Sequence, residues 1–121
     1  MTLKSLVPMA FVASVPRSMA FYSQLGFRVA NTHTPEGSGE PVWAYLVSDG
    51  AQLMLSRASE PVDPGAQAVL FYLYSTEVDE YRERLVEAGV EAGPMQYPFW
   101  SPEGEFRVTD PDGYVLLVSH T

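Results

Sequence analysis

The feature that most constrains this chain is a repeat that survives as spacing rather than as identity. Gly26 and Gly89 stand 63 residues apart, and so do the pairs Asp49-Gly50 and Asp112-Gly113, Leu53 and Leu116, and Ser56 and Ser119. One constant offset linking a helix-stopping glycine to a hairpin signal some 24 residues later is the mark of a duplicated unit. The whole chain is 121 residues, so each half alone is too small to bury a comfortable core, and the halves are expected to depend on each other.

The residues within each half agree on one element order. A strand is expected over 7–12, followed by Ser14-Val15-Pro16, where a Ser cap and an early Pro open a helix. Val15, Met19 and Tyr22 recur at helical spacing, Gly26 stops the helix, and a second strand is expected over 27–30. Residues 31–41 carry turn and breaker residues almost throughout and read as a mobile loop. Strands over 43–47 and 52–57 flank Ser48-Asp49-Gly50 as a hairpin. After a linker over 59–65 the order restarts: an aromatic strand over 68–74, then a capping box formed by Thr76 and Asp79. A helix with Val78, Tyr81 and Leu85 on its buried stripe runs to Gly89, and a short strand is expected near Val90. A loop through Trp100 and strands over 105–109 and 114–119, joined at Asp110-Pro111-Asp112-Gly113, complete the second half. The expected fold is α+β, with two tandem βαβββ modules (1–58 and 66–121) in one domain, forming a curled mixed sheet around a pocket.

Two motifs carry a family resemblance over essentially the whole chain. These are Arg17-Ser18-Met19-Ala20-Phe21-Tyr22 with Leu25-Gly26-Phe27, and Phe106-Arg107-Val108-Thr109-Asp110-Pro111-Asp112-Gly113-Tyr114. In this order they resemble the vicinal oxygen chelate superfamily of glyoxalases, bleomycin resistance proteins and ring-cleaving dioxygenases. The resemblance implies paired βαβββ modules, with four strands from each. In metal-dependent members it also implies a divalent ion held by His or Gln on the first strand of each module and Glu on the last. Those places fall on Val7, Met54, Leu70 and Leu117, and the offset of 63 relates Val7 to Leu70 and Met54 to Leu117. Alkyl groups donate nothing to a hard or borderline cation, and one thioether is not a site. No metal and no cofactor are therefore expected, and the chain resembles the metal-free, bleomycin-resistance-like branch.

The remaining chemistry is sparse. There is no Cys, which removes thiolate catalysis and disulfide staples, and the two His residues, His33 and His120, lie in a predicted loop and beside the last residue. No Ser-His-Asp set and no phosphate loop is present. Fifteen Asp and Glu against seven Lys and Arg give a net charge of −8, which repels nucleic acid. No apolar run is long enough to span a bilayer, and the chain reads as cytoplasmic.

What the pattern does offer is apolar surface. The stretch Ala68-Val69-Leu70-Phe71-Tyr72-Leu73-Tyr74 has no charge on either face, so both faces are expected to be covered. One alternating set, with Ala10, Val12, Leu53, Leu55, Val69, Phe71, Leu73, Leu116 and Val118, is expected to meet the helices. The other, with Val7, Met9, Phe11, Met54, Leu70, Tyr72, Tyr74, Val115 and Leu117, is expected to line a pocket. Phe99 and Trp100 occupy the loop where bleomycin-resistance-like members carry a ligand-contacting Trp. The ligand-binding set is expected to be Phe11, Trp43, Met54, Tyr72, Phe99, Trp100 and Leu117. It serves a metal-free homodimer that sequesters an aromatic or cationic small molecule such as an antibiotic. The alternative is a lyase, isomerase or dioxygenase-type enzyme in the same pocket, with Tyr72, Glu105 or Arg107 as acid–base candidates.

Overall fold

The computed structural model describes residues 2–121 and resolves into two compact units, one ending at Val62 and the other comprising Asp63–Thr121. The first contains β1 (Met9–Val12), α1 (Val15–Gln24), β2 (Arg28–His33), β3 (Trp43–Ser48) and β4 (Ala51–Arg57). The second contains a 3-10 turn at Pro64–Ala66, β5 (Leu70–Ser75), α2 (Val78–Glu87), β6 (Glu105–Thr109) and β7 (Val115–His120). The architecture is α+β, with a mixed sheet ordered β1-β4-β3-β2 in the first unit and one ordered β5-β7-β6 in the second.

The repeat is written into the strand ladders. In the first unit β1 runs parallel to β4 with Met9 opposite Met54, and in the second β5 runs parallel to β7 with Tyr72 opposite Leu117, both residues shifted by 63. The helices and their stops keep the same offset. Gly26 and Gly89 take φ of 100° and 88°, and Phe27 N–H and Val90 N–H donate back to Tyr22 O and Leu85 O at 3.0 and 2.9 Å.

The third strand departs from this offset. Val47 pairs with Gln52 in β3–β4, while Thr109 pairs with Val115 in β6–β7, so the second hairpin is one residue longer and β6 matches β3 at an offset of 62. Trp43 and Tyr45 therefore correspond to Glu105 and Arg107. The strand expected near Val90 is absent as a strand. In its place two isolated bridges, Ala92 to Val108 and Gln96 to Glu105, lie along the outer side of β6. They reproduce the pairings Val29 to Leu46 and His33 to Trp43 of β2–β3, so this part of the second unit keeps the register of the first without its continuous ladder.

Each sheet buries one face against its helix. Ala10, Val12, Ala44, Leu46, Leu53 and Leu55 close on Val15 and Tyr22 of α1 in the first unit; Phe106, Val108, Leu116 and Val118 close on Val78 and Leu85 of α2 in the second. Ser18 rather than Met19 completes the buried stripe of α1, because a small hydroxyl residue allows closer approach of the helix to the sheet. Burial pushes the Tyr81 phenol above its ordinary value, and the nearby Arg84 opposes this in part. Val69, expected to face the helix, lies before β5 and is exposed.

Local signals divide cleanly. Ser14 caps α1, its Oγ accepting from Arg17 N–H at 3.2 Å. The capping box expected at α2 does not form: Glu77 is the N-cap without a side-chain bond, and Glu77 N–H is taken instead by Ser75 Oγ at 3.1 Å. Ser14→Ala is expected to cost about 1 kcal/mol in a urea melt, and Thr76→Ala less than about 0.5 kcal/mol; equal losses would refute this assignment of caps. The expected loop 31–41 is shorter than its breakers suggest, since Asn31, Thr32 and His33 extend β2 past a bulge between Val29 and Asn31. As an edge strand, β2 tolerates polar side chains on both faces.

Candidate ligand-binding site

On the face of each sheet away from its helix, strand register sets side chains in rows. In the first unit Met9, Met54 and Tyr45 form one row and Phe11, Ser56 and Trp43 the next. In the second, the equivalent rows are Tyr72, Leu117 and Arg107, then Tyr74, Ser119 and Glu105. The predicted ligand residues thus fall in two groups. Phe11, Trp43 and Met54 share the first unit's face, with Trp43 edge-on to Tyr45 at 6.3 Å between ring centroids. Tyr72, Leu117, Trp100 and Phe99 belong to the second unit.

In the second unit a recess of about 440 Å³ is lined by Tyr72, Leu117, Trp100, Glu105, Phe106, Arg107 and the 93–96 segment. Tyr72, Trp100 and Leu117 are brought together there. Phe99 is not part of the wall; it is 90% exposed and meets Trp100 edge-to-face at 5.0 Å. The recess exists because the 92–96 segment bridges to β6 and the chain then turns back over the row containing Ser119 and Glu105. Ser101 Oγ and Ser119 Oγ meet at 2.7 Å in the buried layer, and Gly104 O accepts from His120 N–H at 3.1 Å. Loop and sheet are thereby stitched together beneath an exposed pair of rings.

Glu105 was not among the expected ligand residues, yet its environment is the most unusual in the recess. Only 5% of it is exposed. Its backbone exchanges hydrogen bonds with Gln96 at 2.8 and 2.9 Å, and its Oε1 accepts from Trp100 Nε1–H at 3.3 Å. Its Oε2 is buried with no hydrogen-bond partner among the described residues. Tyr72, Glu105 and Arg107, the acid–base candidates, all border this one recess. A second recess, of about 600 Å³, lies by Arg82, Val86 and Thr109, where Arg82 is held by Gly93 O at 2.8 Å and Ala92 O at 3.3 Å.

The positions at which the superfamily holds its metal do not fit one here. Met54 and Leu117 lie on β4 and β7, Leu70 opens β5 and Val7 precedes β1, and none offers an oxygen or imidazole donor. Among the described residues, no three His, Cys, Asp or Glu side chains gather as a metal site. His33 ends β2, exposed, rather than lying in a loop, and His120 ends β7 with Nδ1 3.0 Å from Glu103 Oε2. The expectation that both faces of β5 are covered fails: Tyr72 is 41% and Tyr74 66% exposed, stacked on each other at 6.0 Å. No helix among the described residues is long and apolar enough to cross a membrane.

Comparison with known proteins accords with this geometry. Among solved structures the chain is similar to a bleomycin-binding protein complexed with bleomycin, at 18% identity and a TM-score of 0.78, over 98% of this chain and 99% of that one. It is similar to TnmS3, an antibiotic binding protein from Streptomyces sp. CB03234, at 22% identity and a TM-score of 0.79, over 99% and 98% of the two chains. It is also similar to the fosfomycin resistance protein FosX from Listeria monocytogenes, at 16% identity and a TM-score of 0.72, over 100% and 95%. At these identities the likeness establishes the fold. No curated protein sequence matches the chain. The model of the Glyoxalase/Bleomycin resistance protein/Dioxygenase superfamily matches residues 5–118, and with nearly the whole length so matched the chain belongs to that superfamily.

Proposed function

We propose that the protein binds and sequesters a small aromatic or cationic molecule, an antibiotic being the leading class, without a metal ion. The observation that carries this reading is the second unit's recess, where Trp100, Tyr72 and Leu117 supply apolar and aromatic wall while the superfamily's donor positions hold alkyl groups and a thioether. Sequestration requires affinity alone, which aromatic faces and a few polar tips provide. Antibiotic binding by two of the fold neighbours supports the choice of class. The working form is a cytoplasmic homodimer in which both units act as one domain. The exposed row of Leu70, Tyr72 and Tyr74 on β5 favours a second copy, since large apolar surface left to water is a liability. Phe11, Trp43 and Met54 form the corresponding ligand-binding face of the first unit, and neither nucleic acid nor membrane is a partner of so acidic a chain.

The test is a thermal melt with metal-free bleomycin and a panel of planar cationic antibiotics, run with and without chelator. At a ligand concentration 100-fold above Kd the folded state gains about 2.7 kcal/mol, and chelator leaves the gain unchanged. Light scattering should give a mass near twice 13.4 kDa. Absence of any stabilisation across the panel, or stoichiometric metal in protein purified without chelator, overturns the reading. A second reading, a metal-free acid–base enzyme, is favoured by the convergence of Tyr72, Glu105 and Arg107 on one recess. Mass spectrometry of the recovered ligand separates the two: an unaltered compound supports binding, a converted one the enzyme.

A further inference from the structure

We infer that Glu105 is the cation-recognition residue of the recess, and that the ligand it selects carries a protonated amine or amidinium group attached to a planar ring. This rests on the small-molecule reading above and names the charge and the anchor that reading leaves open.

A buried carboxylate oxygen without a donor is costly, and such groups occur in folded proteins where a ligand, an ion or a catalytic role explains them. Glu105 has its backbone paired with Gln96 on one side and Ser119 of β7 on the other, and its side chain is held inward, with only 5% of the residue exposed. Its Oε1 is occupied by the indole N–H of Trp100, but at 3.3 Å that bond is at the long end of the range and its donor sits on a ring 60% exposed. Trp100 is therefore a displaceable cover rather than a fixed partner. An ammonium entering beneath it meets Oε2 directly and lies against the indole face, so a charge-assisted hydrogen bond and a cation–π contact act on the same group.

Arg107 sets the direction. It borders the same recess two residues along β6, it is exposed, and it makes no ion pair with Glu105. Its positive charge repels a ligand cation from its own end and leaves the Trp100 end as the place where positive charge is favoured. The equivalent position in the first unit holds Trp43, so the duplicated face carries this acidic anchor once.

The experiment compares two probes of equal shape, 2-naphthylmethylammonium and 2-naphthylmethanol, by calorimetry on the whole chain. Wild-type protein is expected to prefer the ammonium by about ten-fold or more. Glu105→Gln keeps the shape and an acceptor for Trp100, and should lose that preference while its affinity for the alcohol stays within about two-fold. Equal affinities in the wild type, or a preference that persists in E105Q, overturn the inference and leave the small-molecule reading standing. Binding of neither probe overturns both. If E105Q does not fold, as judged by its melt, the wild-type preference alone decides.

Discussion

Replacing Gly113 by Ala is expected to destabilise the protein by about 2–4 kcal/mol, enough to lower the melting temperature by roughly 10 °C. Gly113 holds φ at +86°, where an L side chain is strained, and an added Cβ would fall 2.6 Å from Pro64 Cα, against backbone that has no rotamer to give way. The turn around it is braced as well: Asp110 Oδ1 accepts from both Asp112 N–H and Tyr114 N–H at 2.9 Å, so the hairpin cannot easily relax. The sharpest control is the same residue in the other copy of the repeat. Gly50 has open space where its Cβ would go, and in that turn it is Asp49, at φ of 48°, that takes the left-handed conformation. Gly50→Ala should therefore change stability by less than about 0.5 kcal/mol. Equal losses at the two sites would mean that the close approach of Pro64 to the second hairpin does not exist in solution.

That contrast also shows where the sequence is readable. Matched landmarks locate the helices and both helix stops, because each depends on residues whose local preferences act within a few positions; the parallel pairing of β1 with β4 and of β5 with β7 joins residues some 45 positions apart and is seen only in the structure. The residues themselves bound β6 correctly at 105–109, but the offset of 63 carried over alone would shift its register by one. A residue added in the second hairpin and one lost before it cancel at the flanking glycines, so an offset of 63 puts Phe106 where the ladder puts Glu105. The alternation of burial, with Ala44 and Leu46 matching Phe106 and Val108, agrees with the ladder on this slip. Apolar side chains at the superfamily's metal positions are legible because a missing donor is a property of residue identity alone. The burial of Glu105 is not, since it comes from the 97–104 loop folding back over a strand, a tertiary contact to which neither periodicity nor composition points. The failed capping box is a third kind of case: α2 takes Glu77 rather than Thr76 as its N-cap, and the Ser75 hydroxyl accepts from Glu77 N–H at 3.1 Å just ahead of the helix, an arrangement that the Thr76–Asp79 spacing does not disclose.

Trp100→Ala should weaken binding of metal-free bleomycin, measured by calorimetry, by about 30-fold or more, as expected when a central aromatic anchor worth at least about 2 kcal/mol is removed. The same substitution takes the donor from Glu105 Oε1, so it should also cost about 1 kcal/mol of folding stability, and a loss of binding alone would not separate recognition from a collapsed recess. Trp100→Phe separates them. It keeps a ring face at the mouth of the recess but lacks the N–H, so it should match the alanine variant in lost stability while retaining affinity within several-fold of wild type. Phe99→Ala supplies the remaining comparison: that ring is 90% exposed and touches Trp100 by its edge, so its removal should leave the melt unchanged and lower affinity only a few-fold, by loosening the indole it braces. If Trp100→Ala binds as tightly as wild type, the ligand does not rest on this ring. The recess beside Glu105 would then be a crease in the second unit, and the search for a site would move to the row of Phe11, Ser56 and Trp43 in the first.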